Sequence, residues 1–173
     1  MDHADHVALL RGGVAPGTWA DLGSGEGAFT LALADLLGAD GSIYSIDRDR
    51  RALVAQEREM RRRFPRARVE YRVADFTRPQ ALPALDGIVM ANSLHFVRDK
   101  LPLLERLRGL LVPSGRFILV EYDADRGNAW VPYPLSLASW LDLSSRAGFR
   151  DTRLLHAVPS RFLGRIYSAL GTA

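Results

Sequence analysis

The chain has 173 residues, 47% of them apolar, enough for one domain with a sizeable core and too few for a second. No apolar run approaches the roughly 20 residues of a membrane helix, and Met1 to Val14 lacks the apolar stretch of a secretory signal, so no membrane partner and a cytoplasmic location are expected. The net charge is +3, and the absence of cysteine excludes disulfides, thiolate metal sites and cysteine nucleophiles.

Residues 1–14 read as a short N-terminal helix or tail, and 1–173 as a single domain. Thr18–Leu22 reads as a strand running into glycines, and Gly27–Leu37 as a helix stopped at Gly38. Ser42–Ile46 is the next strand, ending at Asp47. Arg51–Phe64 reads as a charged helix closed by Pro65, and Val69–Ala74 as a strand ending at Asp75. Ile88–Ala91 is a buried strand, and Leu101–Leu111 an amphipathic helix stopped by Pro113. The turn Pro113-Ser114-Gly115 introduces a strand over Arg116–Val120. A polar loop over Asp123–Pro134 precedes a helix over Leu135–Ala147, capped by Gly148. Two strands follow, Thr152–Val158 and Phe162–Ala169, joined only by Pro159, Ser160 and Arg161. So short a link cannot make a parallel crossover, and the two strands must pair antiparallel. The expected class is α/β: a doubly wound, mostly parallel sheet with an antiparallel finish.

The run Asp21-Leu-Gly23-Ser24-Gly25-Glu-Gly27 joins a strand to a helix, where glycines permit a tight turn and close approach of a ligand. Asp47 follows Gly27 by twenty residues and ends the next strand, where a carboxylate can accept bonds from both ribose hydroxyls. Asp75 can accept from an adenine amino group while Phe76 covers the base. The run also fits a loose dinucleotide fingerprint. Against NAD stand Glu26, whose charge lies where a pyrophosphate would sit, the lack of a second domain, and the hairpin finish.

These stretches, with Ile43-Tyr-Ser-Ile-Asp47, Ile88-Val-Met-Ala-Asn-Ser-Leu-His95 and Leu111-Val-Pro-Ser-Gly-Arg-Phe117, give a chain that resembles class I S-adenosylmethionine-dependent methyltransferases along nearly its whole length. The resemblance implies a Rossmann-like seven-stranded sheet with a reversed last strand, and S-adenosyl-L-methionine as cofactor. It implies that Gly23, Gly25 and Gly27 border the methionine part, that Asp47 holds the ribose, and that Asp75 and Phe76 hold the adenine, with Ser24 and Arg48 among the cofactor-binding residues. Asp21 would orient the loop or reach the amino group, and Asn92 would complete the pocket. Many members carry longer N-terminal helices over the pocket; here only Asp2 to Gly13 are available.

The acceptor side falls to the segments after the fourth and fifth strands, at the carboxyl edge where open α/β sheets bind ligands. His95 and Tyr122 are the candidate catalytic residues, read as positioning groups more than as a base and its helper. Trp130 and Tyr133 either line the acceptor pocket or pack the following helix. His3 and His6 read as tail residues and His156 as structural; no metal site is expected. Arg58, Arg61, Arg62, Arg63, Arg66 and Arg68 form a basic cluster with Glu57 and Glu59 interleaved. No aromatics alternate with these arginines, so a solvated helix face is the plainer reading, although a nucleic-acid partner stays open. The expected function is methyl transfer to a small-molecule acceptor. RNA or protein methylation and a non-catalytic donor-binding module are the alternatives. Oligomeric state is not legible.

Overall fold

The computed structural model describes all residues 1–173. Seven strands form one sheet in the order β3-β2-β1-β4-β5-β7-β6. β1 (Thr18–Leu22), β2 (Ser42–Asp47), β3 (Arg68–Val73), β4 (Leu85–Ala91) and β5 (Leu111–Tyr122) run parallel. β6 (Arg150–Ser160) and β7 (Gly164–Thr172) form the expected hairpin, and β7 inserts antiparallel between β5 and β6.

The helices are α1 (His3–Leu10), α2 (Ala28–Leu37), α3 (Arg50–Arg63), α4 (Leu101–Arg108) and α5 (Leu137–Arg146). Their apolar faces divide the core in two. Leu9, Leu10, Phe29, Leu33 and Met60 of α1–α3 pack on Trp19, Val89, Ile118 and Val120 on one side of the sheet. Leu103, Leu104, Leu107 and Trp140 of α4 and α5 pack on Leu22, Ile88, Met90, Phe117 and Leu119 on the other. The period-2 alternation of β5 decides which residue faces which layer.

One open reading is decided and two details differ from expectation. Of the helix and tail readings of the N-terminus, residues 3–10 take the helix, fixed by a capping box in which Asp2 accepts the Asp5 N–H at 3.0 Å and Asp5 accepts the Asp2 N–H at 3.1 Å. His3 and His6 therefore sit on α1; the His3 ring meets the Asp35 carboxylate at 3.0 Å and the His6 ring lies 4.9 Å from that of Phe29. Pro113-Ser114-Gly115 does not precede β5 but lies within it. The partner of Leu85 is Leu111 and the partner of Gly87 is Arg116, so the extra residues form a bulge with Ser114 at φ 64°. α4 and α5 are also shorter than the apolar pattern suggests, ending at Arg108 and starting at Leu137.

Candidate functional site

Because β1 to β4 are parallel, their carboxyl ends share one edge. A cavity of about 320 Å³ opens there, lined by Gly23, Asp47, Arg48, Asp75, Phe76 and Asn92 among others. The expected residues thus converge from four strands. Ala74, Thr77, Ser93, Phe96 and Val97 complete the wall and were not foreseen. Phe96 and Val97 reach it because the chain turns back after β4 in a single 3-10 turn, Leu94–Phe96.

The glycine loop is tied down from below. Gly23 and Ser24 N–H both donate to the Ile46 carbonyl, at 2.8 and 3.1 Å, and Gly27 N–H donates to Ser24 at 2.9 Å. Gly23 has φ +78°, and a Cβ there would come within 2.6 Å of Ser93 Cβ. Only glycine lets β1 pass so close to the end of β4. Gly27 begins α2 at φ 87°, and any side chain there would collide with Gln56. Ser24, Gly25 and Gly27 frame the loop but do not line the cavity itself.

Asp47 is half-buried and already accepts two backbone bonds: Gly25 N–H on Oδ2 and Asp49 N–H on Oδ1, each at 2.8 Å. Each oxygen keeps a second lone pair for a ligand hydroxyl. Asp75 is exposed. The Thr77 hydroxyl (2.6 Å) and N–H (2.9 Å) donate to its Oδ1 and hold its carboxyl below the usual range. Its Oδ2 faces Arg78 at 3.8 Å and is otherwise free. Asn92 sits at φ 51°, and its side-chain oxygen is buried without a hydrogen-bond partner. That orphaned acceptor marks a place where a ligand donor fits.

Asp21 lies beneath the loop, 1% exposed, with Oδ2 accepting the Thr30 hydroxyl at 2.6 Å. Burial pushes its carboxyl up to about 7, against the pull of Thr30, and the Asp47 charge adds to the rise. Its hydrogen bond ties the end of β1 to α2.

A second polar cluster lies beside the cavity at the ends of β4 and β5. Glu121 has no exposed surface. Its Oε1 accepts the His95 N–H at 3.0 Å, and its Oε2 lies 2.9 Å from His95 Nδ1. A carboxylate only accepts, so Nδ1 carries a proton; in the neutral ring Nε2 then keeps its lone pair, and it has no hydrogen-bond partner in the chain. His95 itself is 3% exposed. Its ring centre lies 4.3 Å from that of Phe96 and 6.5 Å from that of Tyr122. Burial, reinforced by the Glu121 charge, raises the Tyr122 hydroxyl. Lys100 is buried nearby, donates to the Val97 carbonyl at 2.8 Å, and is lowered by that burial. The Tyr133 N–H donates to the His95 carbonyl at 3.0 Å, while Trp130 is 77% exposed and does not pack the following helix. No group of three or more His, Asp or Glu side chains is disposed to hold a metal ion, and no helix is long and apolar enough to cross a membrane.

The family pattern described as a methyltransferase domain matches residues 20–117, more than half of the chain. The chain belongs to the methyltransferase-domain family. An arsenite methyltransferase of Aquipseudomonas alcaligenes is 30% identical to this methyltransferase domain over 158 residues, covering 80% of this chain and 46% of that protein. A SAM-dependent methyltransferase structure from Aquifex aeolicus superposes with a TM-score of 0.71 at 19% identity, covering 99% of this chain and 98% of that one. Human N-acetylserotonin methyltransferase in complex with SAM gives a TM-score of 0.69 at 20% identity, over 98% of this chain and 51% of that one. The domain therefore spans about half the length of the arsenite and N-acetylserotonin enzymes. Its fold is that of class I S-adenosylmethionine-dependent methyltransferases, and S-adenosylmethionine is the family's cofactor.

Proposed function

We propose that the protein transfers a methyl group from S-adenosylmethionine to a small-molecule acceptor. The observation that carries this reading is the convergence of Asp47, Asp75, Phe76 and Asn92 on one cavity beside a glycine loop. Asp47 would accept the ribose hydroxyls, Asp75 Oδ2 the adenine amino group, and Phe76 would cover the base. The unsatisfied Asn92 oxygen would accept a donor from the methionine or ribose part. When bound, the donor supplies a methyl group already activated by a cationic sulfonium. The residues of the chain then act by holding the acceptor in line. His95, pinned by Glu121, presents Nε2 to the acceptor side and Tyr122 walls it. Both are positioning residues.

The arginine cluster supports a small acceptor over a nucleic acid. Arg61 and Arg62 pair with Glu57 and Glu59, Arg63 lies over the Phe64 ring, and Arg68 donates to the Asp40 and Gly41 carbonyls. Four of the six are thus engaged within the chain, as in a solvated helix face. The chain spans 46% of the arsenite relative and has no cysteine, so arsenite is not the acceptor proposed for it. Calorimetry with S-adenosylhomocysteine and with NAD tests the reading. Micromolar binding of the first is expected, and tighter binding of NAD would overturn it.

A further inference from the structure

α3 is a strongly charged helix with one fully buried polar side chain, Gln56. An unbonded amide in that place would be costly. Both of its ends are satisfied. Gln56 Oε1 accepts the Ser45 hydroxyl at 2.8 Å, and Nε2 donates to the Thr30 hydroxyl oxygen. Thr30 in turn donates to Asp21 Oδ2 at 2.6 Å, and the Ser45 and Ser24 hydroxyls lie 2.8 Å apart.

The directions of these bonds follow from proton count. Above pH about 7, where Asp21 is ionised, it can only accept, so the single hydroxyl proton of Thr30 points to it. Thr30 must then accept from an N–H, which fixes the Gln56 amide with Nε2 toward Thr30 and Oε1 toward Ser45. Ser45 donates to Oε1, so the Ser24 proton points to Ser45. A one-way chain runs Ser24, Ser45, Gln56, Thr30, Asp21. It joins the glycine loop to β2, α3, α2 and β1. The same Gln56 side chain fills the space over the Gly27 Cα, where a Cβ would collide with it. Gln56 thus touches both ends of the loop, Ser24 through Ser45 and Gly27 directly.

We propose that Gln56 is a positioning residue for the methyl donor: it presets the Ser24–Gly27 loop in the shape that receives the donor's methionine end. The inference rests on the donor-binding reading above. Gln56 lies outside the cavity and acts only through the loop. A ligand that reaches the adenine and ribose residues but not the loop should depend on it far less, because the Asp49 N–H still holds Asp47 Oδ1.

That difference is the test. Gln56→Met keeps the volume and removes both bonds. Calorimetry is run with S-adenosylhomocysteine and with 5′-methylthioadenosine, which has the same nucleoside and no amino-acid end. In Gln56→Met the homocysteine ligand should bind at least tenfold more weakly, and the methylthio ligand within about threefold of wild type. Amide hydrogen exchange at Gly25 and Gly27 should quicken in the ligand-free variant. If the variant does not fold, Ser45→Ala cuts Ser24 from Gln56 and should give the same selective loss. Equal weakening of both ligands would mean a merely structural role and overturn the proposal, as would unchanged affinity for both in a folded variant. A wild-type protein that binds neither ligand would overturn the donor reading itself, and with it this inference.

Discussion

Asp47 Oδ2 accepts the Gly25 N–H at 2.8 Å, so the residue read as a ribose anchor also holds the glycine loop. The parallel register of β1 and β2 brings this about. Leu22 pairs with Ile46, and the loop leaving β1 passes directly over the end of β2. One carboxylate therefore serves two elements of the same site.

A hydrogen bond to a charged group contributes roughly 1.5–3 kcal/mol. Asp47→Ala should weaken binding of S-adenosylhomocysteine about tenfold to a hundredfold, or more, because loop and ribose contacts fall together. Asp47→Asn keeps one acceptor oxygen and should lose less. Calorimetry on both variants checks the order, and unchanged affinity in a folded Asp47→Ala would remove the residue from the site.

Asp21 gives a pH prediction. Its carboxyl titrates near 7 in the fold, raised by burial, against about 3.9 in an unfolded chain. Between those values the native state binds more protons than the unfolded state. Stability contributed here is therefore full below about pH 4 and falls as pH rises toward about 7. Asp21→Asn keeps an acceptor for Thr30 and cannot ionise. Its melting temperature relative to wild type should climb between pH 5 and 8, and a pH-independent difference would contradict the buried ionisation.

Gly87 tests the core beneath the site. A Cβ on Gly87 would fall on the indole of Trp19, which is fully buried and tied by its ring N–H to the Ala15 carbonyl at 2.8 Å. Gly87→Ala should cost about 1–3 kcal/mol by overpacking, read as a lower urea midpoint with unchanged slope. Trp19→Leu opens the space, so the double variant should lose less than the two single losses added together.

The strands nearest the site were legible because each ends on a distinctive residue. β1 runs into glycines, β2 stops at Asp47, and Asp75-Phe76 follows β3 closely. Turn length alone disclosed the antiparallel hairpin. Gln56 was not legible: among the arginines and glutamates of α3 it reads as one more solvated residue, and only the fold turns it inward. Pro113-Ser114-Gly115 carried true turn chemistry, but β5 absorbs it as a bulge instead of starting after it. The His95–Glu121 pair spans 26 residues and joins through the neighbouring ends of β4 and β5, where Ala91 pairs with Val120. Strand neighbourhood, and not local pattern, creates it.

That pair sets the sharpest prediction. Glu121 has no exposed surface, and its side-chain partner is His95 Nδ1. Removing the imidazole leaves the buried Glu121 carboxylate without its side-chain donor, at a cost of about 1–3 kcal/mol or more for a charged acceptor. His95→Leu should be destabilised to that extent. His95→Asn is different, because an Asn amide nitrogen can take the place of Nδ1 and still donate to Glu121. It keeps the fold's requirement and deletes only Nε2. If His95 positions the acceptor, His95→Asn should retain substantial turnover once an acceptor is found, with a raised KM and a pH dependence set by the acceptor. If Nε2 were an essential base, His95→Asn would lose nearly all turnover with S-adenosylhomocysteine binding intact, and the wild-type inflection in rate against pH would vanish. Stability melts on both variants, with rate–pH curves on His95→Asn and wild type, separate the structural demand on Nδ1 from any chemical demand on Nε2. The expected pattern is a fragile His95→Leu and an active His95→Asn.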